Sequence, residues 1–190
     1  MSSTPAALRL ASLLVAFACA PVLAAPVQEP SIGVTFPDRL GDFALKGRTQ
    51  FPKAADGATI VYEGEGVRGA IYVYDAGVKD IPNGVGSPVI HKHFRETEMA
   101  LKRAGTEGPV KATVRTVKAS TISAFPGCGP QFVWRSDAIA MEGHEVVSRT
   151  YLAGYHGQFV KLRVTQVARD SDAQVDAFVQ GVRKLLGKCA

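Results

Sequence analysis

Few features of this sequence point to chemistry, and each shortage narrows the reading. The 190 residues hold three cysteines and no Cys-x-x-Cys pair, so a thioredoxin-like redox motif is missing. There is no Gly-x-Ser-x-Gly elbow, the strand-to-helix turn that presents a nucleophilic serine in α/β-hydrolases. No basic run reaches five residues, and 22 basic against 17 acidic side chains give a formal charge of only +5. Mixed signs of this kind do not make a nucleic-acid footprint. Long apolar runs are scarce too. The run at 10–20 is eleven residues long, whereas a membrane-spanning helix needs about 20 and a signal-peptide core about 7 to 15.

That run reads as the core of an export signal. Residues 1–24 carry one charge, Arg9, just before it; Pro21 then breaks the helix, and Val22 and Ala24 place small residues where a signal peptidase reads. Cleavage is expected after Ala24, because cutting after Ala25 would leave Pro26 first. A lipoprotein signal ending at Cys19 is the rival, but its usual leucine is Ala16 here and bulky Phe17 follows. The mature chain is then periplasmic or secreted, without a transmembrane segment. It keeps 166 residues, enough for one domain, and loses only Arg9 among its charges, leaving 21 basic against 17 acidic. Loss of Cys19 leaves Cys128 and Cys189. In an oxidising compartment these are expected to pair, closing a loop of about 60 residues and stabilising the fold by about 4 kcal/mol on the chain-entropy model.

Along the mature chain, 25–57 is rich in Pro, Gly and charge and reads as an irregular or edge segment ahead of a single domain over 58–190. Two short runs dense in Ile, Val and Tyr, 58–63 and 70–75, read as a hairpin, followed by a glycine-rich loop over 76–86. Ser87-Pro88 starts a helix, and Gly105 after Lys102 and Arg103 stops it. Its buried face is expected to be Ile90, Phe94, Thr97, Leu101 and Ala104, with Met99 pointing away. Strands are expected at 111–118, 131–141, 145–153 and 158–167; links this short force antiparallel pairing. Ser171-Asp172-Ala173-Gln174 has the form of a capping box, and Val175, Phe178, Val179, Val182, Leu185 and Leu186 make the stripe of a last helix. The order β-β-α-β-β-β-β-α gives an α+β fold: a mainly antiparallel sheet with both helices packed on one face.

This order resembles the PsbP-like and DcrB-like α/β sandwiches found in exported proteins. The segments Ile71-Tyr72-Val73-Tyr74-Asp75 and Gly157-Gln158-Phe159-Val160-Lys161-Leu162-Arg163 also look like parts of uncharacterised bacterial envelope proteins. The resemblance implies an accessory or binding protein and brings no catalytic motif.

Candidate sites are few. Gly64-Glu65-Gly66-Val67-Arg68-Gly69 has dinucleotide-fingerprint spacing, but Ile71 to Tyr74 continue as a strand where that fingerprint needs a helix. A hairpin turn accounts for the glycines, and no cofactor is expected. His91 and His93 diverge on a helix and cannot chelate one ion, while His144 and His156 fall in turns. No metal site and no catalytic residue are assigned. Glu63, Glu65, Glu142 and Glu145 sit at turns. The remaining feature is the last hairpin. There Phe159, Lys161, Arg163 and Thr165 alternate with Val160, Leu162 and Val164, and the turn register brings Ser148 and Thr150 alongside. Lys161, Arg163, Ser148 and Thr150 form a possible ligand or partner face, open on the sheet, for a protein or anionic envelope component. Tyr72, Tyr74 and Trp134 are possible aromatic additions. The alternative is a secreted hydrolase assembled from dispersed histidines and carboxylates; it requires at least two of the four histidines to meet at a carboxylate.

Overall fold

The computed structural model describes residues 24–109, 111–120, 129–141, 143–167 and 172–187. Cys19, Cys128, Cys189, Glu142 and Ser171 therefore lie outside the described residues.

The last hairpin sets the frame. Strands β9 (His144–Tyr155) and β10 (Gln158–Gln166) are joined through His156 and Gly157, whose φ of 50° and 75° suit a two-residue hairpin turn that follows the strand twist. Pairing Gln158 with Tyr155 then fixes every later partner, so Lys161 faces Leu152, Arg163 faces Thr150 and Thr165 faces Ser148. On the other edge of β10 runs β6 (Val67–Tyr74), placing Tyr72 beside Lys161 and Ala70 beside Arg163. This pairing splices the early hairpin of β5 (Ala58–Gly64) and β6 onto the late strands β7 (Thr113–Ser120), β8 (Val133–Met141), β9 and β10. With β3 (Arg39–Leu40) and β4 (Phe43–Gln50) the described residues form one eight-stranded antiparallel sheet, ordered β3-β4-β5-β6-β10-β9-β8-β7.

Residues 25–57, expected to be irregular, instead supply β3, β4 and a separate two-stranded sheet, β1 (Val27–Glu29) with β2 (Val34–Phe36). Glycines mask the pattern: β4 buries Phe43 and Leu45 in strict alternation until a bulge between Leu45 and Gly47 shifts the register.

Helix α1 (Pro88–Glu107) is capped by Ser87, whose Oγ accepts the Val89 N–H at 3.2 Å, with Pro88 at the first position. It runs past Gly105, which is buried where a Cβ would lie 2.7 Å from the Ala112 carbonyl oxygen. Ala104 is exposed instead, and Met99 points to solvent as expected. Helix α2 (Asp172–Gly187) buries Val175, Phe178, Val179, Val182 and Leu186.

The α+β class, the antiparallel sheet and the order of strands and helices match the sequence reading; the placement of the helices corrects it. Val160, Leu162 and Val164 pack with the α2 stripe in the main core, together with Tyr62, Phe43 and the β1–β2 sheet residues Val34 and Phe36. Phe159, on the other side of β10, packs with Ile90, Val89 and Phe94 of α1. The helices thus sit on opposite faces. The chain reaches the α1 side because the 75–86 loop crosses the end of β9, exchanging hydrogen bonds between Gly84 and Gly154 at 2.8 and 2.9 Å. A Cβ on Gly154 would lie 1.8 Å from the Pro82 carbonyl oxygen, so only glycine admits this crossing.

Candidate functional site

The α1-facing side of β6, β10 and β9 carries the polar residues of the last hairpin. Helix α1 lies across part of it, so this face is not fully open as expected: Thr97, Ala100 and Leu101 stand over Lys161, Arg163 and Thr150 to make a cleft of about 230 Å³. Ser148 is wholly buried and Thr150 is 8% exposed. They support the cations rather than offering surface.

Lys161 is enclosed by aromatic rings. Its Nζ lies 4.5 Å from the Tyr72 ring centroid and 5.2 Å from that of Tyr74, distances at which a ring face attracts a cation. Among the described residues no carboxylate is within ion-pairing distance of it. Burial, and then the neighbouring charge of Arg163, push its pKa down to about 8. Arg163 donates from Nε to Ser148 Oγ at 3.1 Å, and Ser148 shares a 3.2 Å hydrogen bond with Thr165 Oγ1. The two terminal nitrogens of Arg163 donate to no described residue. Two cations thus stand side by side with no carboxylate of the described residues between them.

The contrast with the next cation on the same face is informative. Arg135, opposite Thr150 on β8, is buried and fully matched: it pairs with Asp137, donates to Thr116 Oγ1 at 2.6 Å and reaches Glu98 of α1 at 2.8 Å. Glu98 also binds Lys102 at 2.9 Å. Hydrogen bonds from Lys102 and Arg135 hold the Glu98 carboxyl below the usual carboxylate range.

One turn before Thr97 on α1, His93 stacks on Phe159, ring centroids 3.9 Å apart. Its Nδ1 is 3.2 Å from Glu96 Oε2 and its Nε2 2.9 Å from the Tyr74 hydroxyl. Burial lowers the His93 pKa, against the opposing pull of Glu96. The ring is neutral near pH 7, so Nδ1–H donates to the carboxylate and Nε2 accepts from Tyr74. Burial, with Tyr72 nearby, raises the Tyr74 pKa. Tyr74 is thereby fixed in place as one wall of the lysine enclosure.

Of the residues singled out in the sequence, Lys161, Arg163, Ser148, Thr150, Tyr72 and Tyr74 come together here. Trp134 does not: it stacks on Tyr151 at 5.9 Å on the α2 side, with Lys118 over its ring. The histidines are dispersed, and among the described residues only His93 of the four contacts a carboxylate. Among the described residues no group of three His, Cys, Asp or Glu side chains is placed to hold a metal. The glycine-rich stretch is the β5–β6 turn, with Gly66 at φ 66°, and continues as strand. Sequence reading weighed His93 only as a metal ligand and did not place it in this site, and it missed Glu96 and the Arg135 network. The one available signal for His93 was its place at the border of the α1 stripe.

Fold and site together describe an α/β sandwich of PsbP-like architecture with a cationic, tyrosine-walled patch partly roofed by a helix. The chain is similar to the solution structure of cyanobacterial PsbP (CyanoP) from Synechocystis sp. PCC 6803, with a TM-score of 0.50 over 88% of this chain and 95% of that one, at 8% identity. At that identity the likeness is one of fold. No protein-family model and no curated protein matches the chain. No helix among the described residues is long and apolar enough to cross a membrane.

Proposed function

We propose that this chain is an exported, non-enzymatic binding protein of the periplasm or extracellular space, which holds an anionic group of a protein or envelope component between Lys161 and Arg163. The observation that carries this is the missing counter-charge: one cation is boxed between tyrosine rings, its neighbour has idle terminal donors, and no described carboxylate answers either. Holding a largely buried Lys161 cation beside a second cation is unfavourable on its own. An incoming anion relieves that cost, and the partial roof of α1 over both cations strengthens the attraction relative to open water.

Export rests on the signal-like residues 1–24. Strand β1 starts at Val27, so among the described residues cleavage after Ala24 takes away no strand and one contact with the core, that of Ala24. Pairing of Cys128 with Cys189 is part of the same reading. Gly129, next to Cys128, abuts Arg183 so closely that a Cβ would lie 2.2 Å from the Arg183 carbonyl oxygen, and α2 ends at Gly187, two residues before Cys189.

The test is crosslinking in the native envelope, comparing the exported protein with its Lys161→Glu/Arg163→Glu variant. Loss of a specific crosslinked species is expected in the folded variant. Identical crosslinks would overturn the assignment of the surface.

A further inference from the structure

Arg163 lines two cavities at once. One is the cleft under α1; the other is a groove of about 490 Å³ on the part of the same face that α1 leaves uncovered. Tyr72 joins them: its ring meets Lys161 near the cleft, and it lines the groove together with Ala70. Ala70 is 6% exposed and takes up little of the space above the sheet, while Val167, 73% exposed, stands at one side. Glu63 and Arg68 line the rim as a loose ion pair at 3.9 Å, so the groove is apolar at the floor and polar at the edge.

We infer that the site takes an organic carboxylate with a short apolar body, its carboxylate between Lys161 and Arg163 under α1 and its body laid over Tyr72 and Ala70 towards Val167. This rests on the anion-binding reading above and adds the chemical class of the ligand. The planar fork of Arg163 matches the two oxygens of a carboxylate, and the Lys161 ammonium adds a third donor. A phosphate monoester brings a third oxygen and a second negative charge to the same three donors, so it calls for further donors from the cleft. Of the cleft hydroxyls, Thr97 already donates to the Phe94 carbonyl at 2.7 Å, which leaves only Thr150 among the described residues. The body subsite follows from continuity: Arg163 lines both the cleft and the groove, so a group leaving the cleft past it meets the groove next.

The test is an NMR titration of the full exported protein with acetate, 4-phenylbutyrate and inorganic phosphate. Acetate is expected to shift resonances of residues 161 and 163 alone. Phenylbutyrate is expected to shift those at 66, 70 and 167 as well, and to bind at least about tenfold more tightly, the gain from burying roughly two methylene equivalents. Ala70→Met, which fills the groove, should remove that advantage; Lys161→Met should weaken both. Equal affinity for acetate and phenylbutyrate, with shifts confined to the cleft, would overturn the two-part ligand while leaving the anion site standing. Tighter binding of phosphate than of either carboxylate would overturn the carboxylate assignment. No saturable shift with any probe would overturn the anion site itself. The wild-type shift map decides the point even if Ala70→Met fails to fold.

Discussion

Lys161 ties the fold to a proton. Burial and Arg163 lower its pKa from 10.5 to about 8 in the folded chain. Between those two values the unfolded chain binds more protons at this position than the folded one, so the group's contribution to stability rises with pH across that window and is flat below it. Urea midpoints of wild type and Lys161→Met, compared at pH 7.5 and 10, should converge or cross in favour of wild type at the higher pH. A constant difference would show that the ammonium is not held down by the fold. Thr59 offers a second residue-scale expectation. Its Oγ1 is buried with no hydrogen-bond partner among the described residues, beside Tyr72 in the β5–β6 register. Thr59→Val removes an unmatched polar atom at nearly constant volume, so thermal unfolding should show no loss and a gain of up to about 1 kcal/mol. Residue scale is also where sequence reading was weakest. Long cations default to the surface, yet Arg135 and Arg183 are buried. Arg183 donates to the carbonyls of Pro130 and Gly129 at 2.9 and 3.3 Å, partners remote in sequence that no local pattern announces.

Elements were more legible, because their signals are local. Alternation in β10, a turn of fixed length and the Ser87-Pro88 start of α1 each express short-range rules, and the observed register and cap follow them. The face on which each helix packs is not local. An apolar stripe states that a helix is buried but is silent on which side of the sheet receives it, and both sides of β10 carry apolar residues, Phe159 on one and Val160, Leu162 and Val164 on the other. Phe159 on the otherwise polar face was the available hint that this side is covered. Gly69 shows how tightly the other layer is set. A Cβ there would lie 2.5 Å from the Phe178 ring, which is already packed at 4.8 Å from Phe43 and 5.8 Å from Tyr62, centroid to centroid. Gly69→Ala must displace that ring and is expected to cost about 1–3 kcal/mol in denaturant unfolding, although the strand conformation itself tolerates alanine.

At the scale of the whole molecule, the proposed export and the proposed Cys128–Cys189 bridge belong together, since such a bridge needs an oxidising compartment. Thiol counting on the exported, unfolded protein should find none without reductant and two with it; two free thiols at the outset would sink the bridge. If it forms, reduction should lower stability by up to about 4 kcal/mol on the chain-entropy model, less if the native geometry is strained. The broad architecture was readable from the order of elements, and its likeness to cyanobacterial PsbP covers nearly the whole chain at 8% identity. The N-terminal strands were not. Arg39–Leu40 is only two residues long and pairs across Gly41 with Phe43 and Ala44, too short a stretch for alternation to show.

The pairing of β6 with β10 has a kinetic consequence. It joins Tyr72 to Lys161 across most of the domain, and it is the only strand contact among the described residues that links the early hairpin to the late strands. Such distant pairing is slow to form, because loop-closure entropy is lost before the contacts reward it. A chain emerging N-terminus first across a membrane would therefore have no ligand site until its last strand had arrived and docked. Ligand capture would then report completed folding, and a truncated or stalled chain would remain blind to the anion.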